Sequence, residues 1–206
     1  MIIYKISRFL VMIFYNIFYP HKIYGRKNMP KDENFILVSN HYAKIDAVVV
    51  SNYFKRRPYF LAKKELMKNK FVTWLFRKYG MIPVDRSKAD FAAMKECFGV
   101  LKNGENLIIF PEGTRNRTDD ELHDVKGGAS MIAFKAGVKI VPSVMESRFK
   151  MFHKNYAYIG EPFDYSEFAG KKLNSETLAE LEKKLTEKLE ECRVKLIESK
   201  GKGKKS

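Results

Sequence analysis

Two short segments carry side chains whose types and spacing could perform acid–base chemistry on an anionic substrate. In the first, His41 is followed five residues later by Asp46. A neutral imidazole can accept a proton from a hydroxyl group, and a carboxylate on the other ring nitrogen orients the ring and stabilises the imidazolium. The pair therefore predicts a general base that activates a hydroxyl of the substrate. Taken alone, the spacing also fits a helix-capping histidine beside an unrelated surface aspartate.

The second segment, residues 110–115, reads F-P-E-G-T-R and follows a continuous apolar run. Gly113 allows positive φ or a close backbone approach. Arg115 can bind a phosphate through two parallel hydrogen bonds, which lysine cannot do. The segment predicts an anion clamp at a strand end, with a turn and a surface ion pair as the alternative.

Four blocks of the chain, taken in order, resemble those of the glycerolipid acyltransferase family. They are H-x4-D from His41, G-M-I-P-V-D-R at residues 80–86, F-P-E-G-T-R at 110–115, and Val141-Pro142. The resemblance runs over residues 34–144, more than half of the chain. H-x4-D alone arises often by chance, whereas the four blocks in this order are specific.

The resemblance implies a role for each site residue. His41 and Asp46 would be the catalytic pair. The acceptor substrate would be bound by Arg86, Glu112, Gly113, Thr114 and Arg115. Two further candidates carry weaker signals: Lys126 matches the family's Lys-x-Gly-Ala but equally fits a plain helix start, and Pro142 lies in a block associated with the acyl donor but Val-Pro is common.

The blocks look most like those of family members that act on lysophosphatidic acid, because enzymes acting on glycerol-3-phosphate usually show a glycine where Thr114 stands. The implied reaction moves an acyl group from acyl-CoA or acyl carrier protein to the sn-2 hydroxyl of 1-acyl-glycerol-3-phosphate, giving phosphatidic acid for phospholipid biosynthesis. No cofactor and no metal are expected. Glycerol-3-phosphate or another lysolipid as acceptor remains an alternative, as does a basic membrane-surface protein without activity. Ala43 departs from the serine or threonine common in the family.

The charge distribution predicts an anionic lipid partner. The 206 residues carry a net charge of +15, of which +12 falls in residues 1–78. Residues 55–78 hold nine basic side chains against Glu65, beside Phe71, Trp74, Leu75 and Phe76. Basic residues next to large apolar ones are typical of an interfacial helix on anionic lipid, although a solvated basic face is the alternative. No nucleic-acid-binding motif is present, so nucleic acid is not expected as a partner.

Residues 1–19 are rich in apolar side chains but lack an uninterrupted run long enough to span a bilayer. They predict an interfacial helix ending at Pro20, with a transmembrane anchor or a helix packed on the domain as alternatives. Cys97 and Cys192 are expected to be reduced thiols. We therefore expect a peripheral or shallowly anchored protein on the cytoplasmic face of a membrane.

Apolar runs alternate with helical patterns, which predicts a single α/β domain with a largely parallel twisted sheet flanked by helices and an N-terminal interfacial helix. Strands are predicted at 35–38, 59–61, 81–84, 107–110 and 139–142, with 156–159 as a last edge strand. Helices are predicted at 44–56, 64–78, 88–102 and 128–136.

The predicted organisation has four parts. Residues 1–20 form the membrane-interface helix, 21–172 the acyltransferase domain, and 200–206 a disordered basic tail. Residues 173–199 form an amphipathic helix whose leucine stripe packs on the sheet or, alternatively, on a second chain. The acidic run at 119–121 with Asp124 predicts a solvated loop rather than a metal site.

Overall fold

The structure is a computed structural model that describes residues 2–87, 89–116 and 125–202 of the chain. Its strands are β1 (His21–Tyr24), β2 (Phe35–Ser39), β3 (Tyr59–Lys63), β4 (Met81–Val84), β5 (Leu107–Ile109), β6 (Lys139–Met145) and β7 (Asn155–Ile159). Its α-helices are α1 (Ile2–Phe18), α2 (Asp46–Ser51), α3 (Lys70–Lys78), α4 (Phe91–Lys102), α5 (Gly128–Ala136) and α6 (Ser175–Lys202). The acidic residues 119–121 and Asp124 lie outside the described residues.

The strands form one seven-stranded sheet in the order β1-β7-β6-β2-β5-β3-β4. All neighbouring strands run parallel except β6 and β7, which are antiparallel. The predicted fold class, a largely parallel α/β sheet flanked by helices, is therefore confirmed. The order places β2 and β5 side by side near the middle of the sheet, and these are the strands that precede the two predicted site segments.

The central strand β2 explains why the sheet has two helical layers. All five of its residues are buried, and successive side chains of a strand point to opposite faces. Ile36 and Val38 belong to the core that α4, α5 and α6 cover. Phe35 and Leu37 belong to the core beneath α1 and α2. A strand buried on both faces reads as a continuous apolar run, which is how this one was predicted.

Helix α6 buries its apolar stripe against β6 and β7. The buried positions are Leu181, Leu185, Leu189, Cys192 and Leu196. The helix continues to Lys202, past the predicted end at residue 199, and Lys200 there pairs with Glu146. Residues 200–202 are therefore helical, while 203–206 lie outside the described part of the chain.

Strand β1 was missed, because His21–Tyr24 reads H-K-I-Y and contains no apolar run. It pairs in parallel with β7 along its whole length. The prediction that residues 156–159 form an edge strand is consequently wrong, since β7 lies between β1 and β6. Only the tertiary pairing identifies β1 as a strand.

Three helices are shorter than predicted, among them α4, which was predicted over 88–102 and begins at Phe91. The segment predicted as one helix over 64–78 divides into a 3-10 turn at Lys64–Leu66 and α3. Asn69 separates them because its side-chain oxygen accepts a hydrogen bond from the backbone N–H of Val72, 2.9 Å away, which is an N-cap. The helix predicted over 44–56 spans only Asp46–Ser51.

Helix α1 packs on the domain along one side and is exposed along the other. Tyr15 is 1% exposed and joins the core beneath the helix, and the guanidinium of Arg8 donates to the carbonyl of Phe54. The exposed side carries Ile6, Phe9, Leu10, Val11, Ile13, Phe14 and Ile17. Among the described residues, no helix combines the length and the hydropathy that crossing a membrane requires.

Candidate active site

The two predicted site segments meet at one edge of the sheet. β2 and β5 pair in parallel, with Val38 opposite Ile109. His41 follows the end of β2, and residues 110–116 follow the end of β5. Ligands of open α/β sheets bind beyond the carboxyl ends of the strands, so the segments occupy the expected position for a site.

The His41 and Asp46 side chains form a hydrogen-bonded pair. The Nδ1 atom of His41 lies 2.9 Å from Oδ2 of Asp46. With Nδ1–H donating to the carboxylate, the neutral imidazole presents Nε2 as a proton acceptor. The histidine side chain is 13% exposed, whereas that of the aspartate is fully buried. The pair therefore has the geometry of a base held by an orienting acid.

The buried carboxylate of Asp46 also organises the backbone around the histidine. Its Oδ2 atom accepts hydrogen bonds from the backbone N–H groups of Tyr42 at 2.6 Å and Ala43 at 2.7 Å. Hydrogen bonds to the charged form stabilise a buried carboxylate. The loop after β2 is therefore wrapped around this one oxygen, and this wrapping fixes the position of the His41 imidazole.

The loop after β5 supports His41 from the other side. The Phe110 ring stacks on the imidazole with centroids 4.3 Å apart and planes 22° apart. The His41 N–H donates to Oε1 of Glu112 at 3.2 Å, and the Asn116 N–H donates to the His41 carbonyl at 2.6 Å. Both backbone groups of the histidine are thus bound by residues about seventy positions away.

Glu112 lies beneath the catalytic loop. Its side chain is almost fully buried, and burial raises its pKa from 4.5 to about 7, with the His41 N–H opposing this rise and the Asp46 charge adding to it. Its second oxygen, Oε2, is buried without a hydrogen-bond partner among the described residues. The observed contact of Glu112 is with the His41 backbone, and a contact with substrate stays a prediction.

Three cations surround Gly113. Its backbone has φ of 67°, and Nη1 of Arg86 donates to its carbonyl at 2.5 Å. The Lys126 side chain lies so close that a Cβ added to Gly113 would stand 3.3 Å from its Nζ. The pKa of Arg86 is lowered by burial and then by the nearby charge of Arg115, with Glu65 opposing. Cations held this near one another create a site for an anion.

The other predicted residues divide between the site and the interior. Thr114 and Arg115 are exposed on the loop after β5, where Arg115 is one of the three cations around Gly113. Pro142 is buried within β6 opposite Val38, and its carbonyl accepts the Gly160 N–H at 2.8 Å. The structure therefore brings Lys126 to the site and leaves Pro142 in the sheet.

Three residues of the site were missed. Asn40 is 2% exposed, and its amide exchanges two hydrogen bonds with the backbone of Met145, at 2.9 Å and 2.8 Å. Asn116 and Phe110 hold the backbone and ring of His41. Polarity at a strand end was the only available signal for the two asparagines, because their partners are remote in sequence.

Within the described ranges, no three His, Cys, Asp or Glu side chains are grouped closely enough to hold a metal ion. The expectation that no metal or cofactor takes part stays a prediction. Cys97 and Cys192 are free and buried, as predicted, and burial raises the pKa of each thiol to about 12.

The fold and the site together define an α/β protein in which a hydrogen-bonded histidine–aspartate pair lies beside a loop with cations around Gly113. A family model described as Acyltransferase matches residues 21–146. The chain belongs to this acyltransferase family, which confirms the resemblance carried by the four sequence blocks.

Named relatives lie within the same family. The chain is 31% identical over 181 residues to the 1-acyl-sn-glycerol-3-phosphate acyltransferase of Bacillus subtilis, with 85% of this chain and 89% of that protein covered. It is 40% identical over 114 residues to the enzyme of that name from Streptococcus pneumoniae, covering 54% of this chain but only 41% of the longer relative. The crystal structure of the 1-acyl-sn-glycerophosphate (LPA) acyltransferase PlsC from Thermotoga maritima matches with a TM-score of 0.68 and 30% identity, covering 91% of this chain and 78% of that one.

Replacing Glu112 with glutamine should remove a pH-dependent loss of stability. Burial raises the pKa of Glu112 from 4.5 in the unfolded chain to about 7 in the folded one. The side chain therefore contributes its full stability below the unfolded-state pKa. This contribution is lost as the pH rises through the folded-state pKa. Between pH of about 4.5 and about 7.5, the free energy of unfolding of the native chain should fall by about 2–3 kcal/mol relative to that of Glu112→Gln. Urea unfolding across this range measures the difference.

The exposed Glu190→Gln variant is the control, and its unfolding free energy should follow that of the native chain. Parallel curves for the native chain and Glu112→Gln would show that Glu112 titrates at its ordinary pKa.

Proposed function

We propose that this chain transfers an acyl group from a thioester to the free hydroxyl of 1-acyl-glycerol-3-phosphate, forming phosphatidic acid. The observation that carries the proposal is the His41–Asp46 pair, 2.9 Å between Nδ1 and Oδ2, standing beside the cations around Gly113. One half of the site can activate a hydroxyl and the other can hold a phosphate. The names of the relatives support the same acceptor.

The reaction follows from the base. Nε2 of His41 takes the proton of the acceptor hydroxyl as its oxygen attacks the thioester carbonyl. Asp46 remains ionised and stabilises the imidazolium that forms. When the tetrahedral intermediate collapses, the carbon–sulfur bond breaks and the imidazolium returns its proton to the departing thiolate. The scheme needs no covalent acyl-enzyme, and its donor is the thioester of acyl-CoA or acyl carrier protein.

The acceptor phosphate would occupy the cation cluster. Arg86 is already positioned by the Gly113 carbonyl. Arg115 follows Gly113 by two residues, and the Lys126 side chain lies against Gly113. A partly buried guanidinium binds a phosphate oxygen more strongly than an exposed one, because less water screens the charge. The phosphate would thus anchor the substrate while its hydroxyl meets His41.

We further propose that the protein binds an anionic membrane surface. The exposed apolar side of α1 has no covering element among the described residues. On α3, Phe71 and Trp74 are exposed with their rings 6.1 Å apart, and Lys78 lies 5.7 Å from the Trp74 ring. Apolar side chains beside cations suit the boundary of an anionic bilayer. The two reduced thiols accord with its cytoplasmic face.

His41→Ala should lower the rate of acyl transfer by about 10²–10⁴, the contribution typical of a general base. Asp46→Asn should also lose most of the activity, because the imidazole loses its orienting charge. Thin-layer analysis of products measures this with lysophosphatidic acid and either acyl-CoA or acyl carrier protein as donor.

Circular dichroism should show that both variants remain folded. If folded His41→Ala kept more than about a tenth of the native kcat, His41 would not be the base. A panel containing glycerol-3-phosphate and other lysolipids tests the acceptor, and preference for any of these over lysophosphatidic acid would overturn that part of the proposal.

Arg115→Lys should weaken acceptor binding by about 1–3 kcal/mol, because a two-point phosphate contact becomes a single charge. Arg86→Ala should act in the same direction. Steady-state kinetics with varied lysophosphatidic acid measure the change in kcat/KM. Arg56→Lys is the matched control, since Arg56 is exposed and precedes β3 at the opposite end of the sheet. Kinetics identical to the native chain in both site variants would place the phosphate elsewhere.

Replacing Phe9 and Ile13 together with serine should make membrane binding sensitive to salt. Both lie on the exposed side of α1, so the substitutions spare the buried Tyr15, which deletion of the helix would remove. At about 1 M salt the Debye length falls to about 3 Å and surface charges are screened, whereas apolar insertion is not. Sedimentation with vesicles of phosphatidylglycerol and phosphatidylcholine should show release of the variant but retention of the native chain.

The control is the pair Val194→Ser and Ile197→Ser, two exposed apolar residues on α6. Equal salt resistance of the α1 variant and the native chain would exclude α1 as the anchor.

A further inference from the structure

The loop joining β6 to β7 carries exposed apolar side chains between basic ones. Residues 148–154 read R-F-K-M-F-H-K. Met151 is 43% exposed and Phe152 is 69% exposed. Because β6 runs parallel to β2, this loop leaves the sheet at the same edge as His41. We call residues 148–154 the β6–β7 loop.

The β6–β7 loop is held in one shape. Phe149 anchors it in the core. The buried Asn155 accepts the Lys150 N–H at 2.7 Å through Oδ1, and its Nδ2 donates to the carbonyls of Lys150 and His153 at 3.0 Å and 2.7 Å. A single side chain therefore ties both ends of the exposed tip, so Met151 and Phe152 project from a fixed base.

Phe152 has a φ of 57°, the one positive value at a non-glycine position among the described residues. For a bulky residue this conformation is strained, because the Cβ atom comes close to the following carbonyl oxygen. The ring is nevertheless largely exposed, so burial within the chain does not offset the strain. A strained backbone that presents an apolar ring to the outside points to a contact beyond the chain.

The loop continues the exposed side of α1. The Phe152 N–H donates to the carbonyl of Phe18, the last residue of that helix, at 2.7 Å, and the two rings lie 5.5 Å apart. The Asn155 N–H also donates to the Pro20 carbonyl at 2.8 Å. The apolar surface of α1 therefore reaches the edge of the sheet that carries His41.

The charges around Met151 and Phe152 indicate which kind of surface the β6–β7 loop contacts. Arg148, Lys150 and Lys154 are exposed around Met151 and Phe152. Cations bordering an apolar tip match the headgroup and acyl boundary of an anionic bilayer.

We propose that Met151 and Phe152 form a second lipid-contacting element, which inserts into the surface of an anionic bilayer next to the active site. This inference rests on the proposed function, because a lipid acceptor must pass from a bilayer to His41. Together with α1, the β6–β7 loop holds the active-site edge of the sheet at the level of the headgroups. A lysolipid then reaches the base without leaving the membrane surface completely.

The substitution Phe152→Trp reports this contact directly. The chain contains one tryptophan, so Trp74→Phe supplies a background without indole fluorescence. In that background, vesicles of phosphatidylglycerol and brominated phosphatidylcholine should quench the indole fluorescence of Phe152→Trp. The matched control is Lys102→Trp, because Lys102 is exposed at the end of α4, at the opposite end of the sheet from His41 and on the opposite face from α1. It should not be quenched.

A binding measurement supplies the second arm. Phe152→Ser should lower the partition onto the same vesicles at high salt by about tenfold, the scale of burying much of one aromatic side chain. Lys102→Ser should leave the partition unchanged, because its charge is screened at high salt. Both positions are exposed, so neither substitution removes core packing.

Unquenched fluorescence of vesicle-bound Phe152→Trp, or unchanged partition of Phe152→Ser, would overturn the proposal. So would light scattering showing that the chain without lipid dimerises and that Phe152→Ser is monomeric, because the ring would then cover a second copy. Neither readout depends on catalysis. A loss of quenching with acyl transfer intact contradicts the loop alone, whereas absence of acyl transfer with quenching intact contradicts the proposed function alone.

Discussion

The arrangement of the site depends on the buried carboxylate of Asp46. One of its oxygens accepts the His41 ring and two consecutive backbone N–H groups. A carboxylate without water around it is stable only with such donors. The loop after β2 must therefore close around this oxygen, and the closure turns the imidazole toward the neighbouring loop. The same contacts that stabilise the buried Asp46 also select the tautomer of the His41 imidazole.

The negative and positive charges of the site lie on the segments that follow two neighbouring strands, β2 and β5. The buried carboxylate of Asp46 and the imidazole of His41 follow the end of β2, while the cations lie around Gly113 on the loop after β5. Glu112 joins the halves, since it belongs to the second loop but accepts the backbone N–H of His41. Beneath them, the sheet separates a covered face under α4, α5 and α6 from the face of α1, whose outer side remains apolar. The candidate active site and the exposed apolar side of α1 thus meet at one edge of the sheet.

Local patterns determined the features that depend on neighbours in the chain. The apolar runs of β2 and β6 predicted buried strands, because strands covered on both faces carry no polar alternation. The leucine spacing of α6 predicted a helix, and α5 was predicted with its observed bounds. The pairing of His41 with Asp46 could also be predicted, since a spacing of five residues across a strand end brings both side chains to one turn.

The tertiary structure decided what depends on residues remote in sequence. β1 is a strand because β7 offers it a row of hydrogen-bonding groups. Asn40, Phe110 and Asn116 belong to the site only because parallel pairing of β2, β5 and β6 brings their ends together. The orientation of Phe152 likewise follows from its bond to Phe18. Such contacts leave no periodic signal, because each joins single residues whose separation along the chain is set by the fold and not by a repeat.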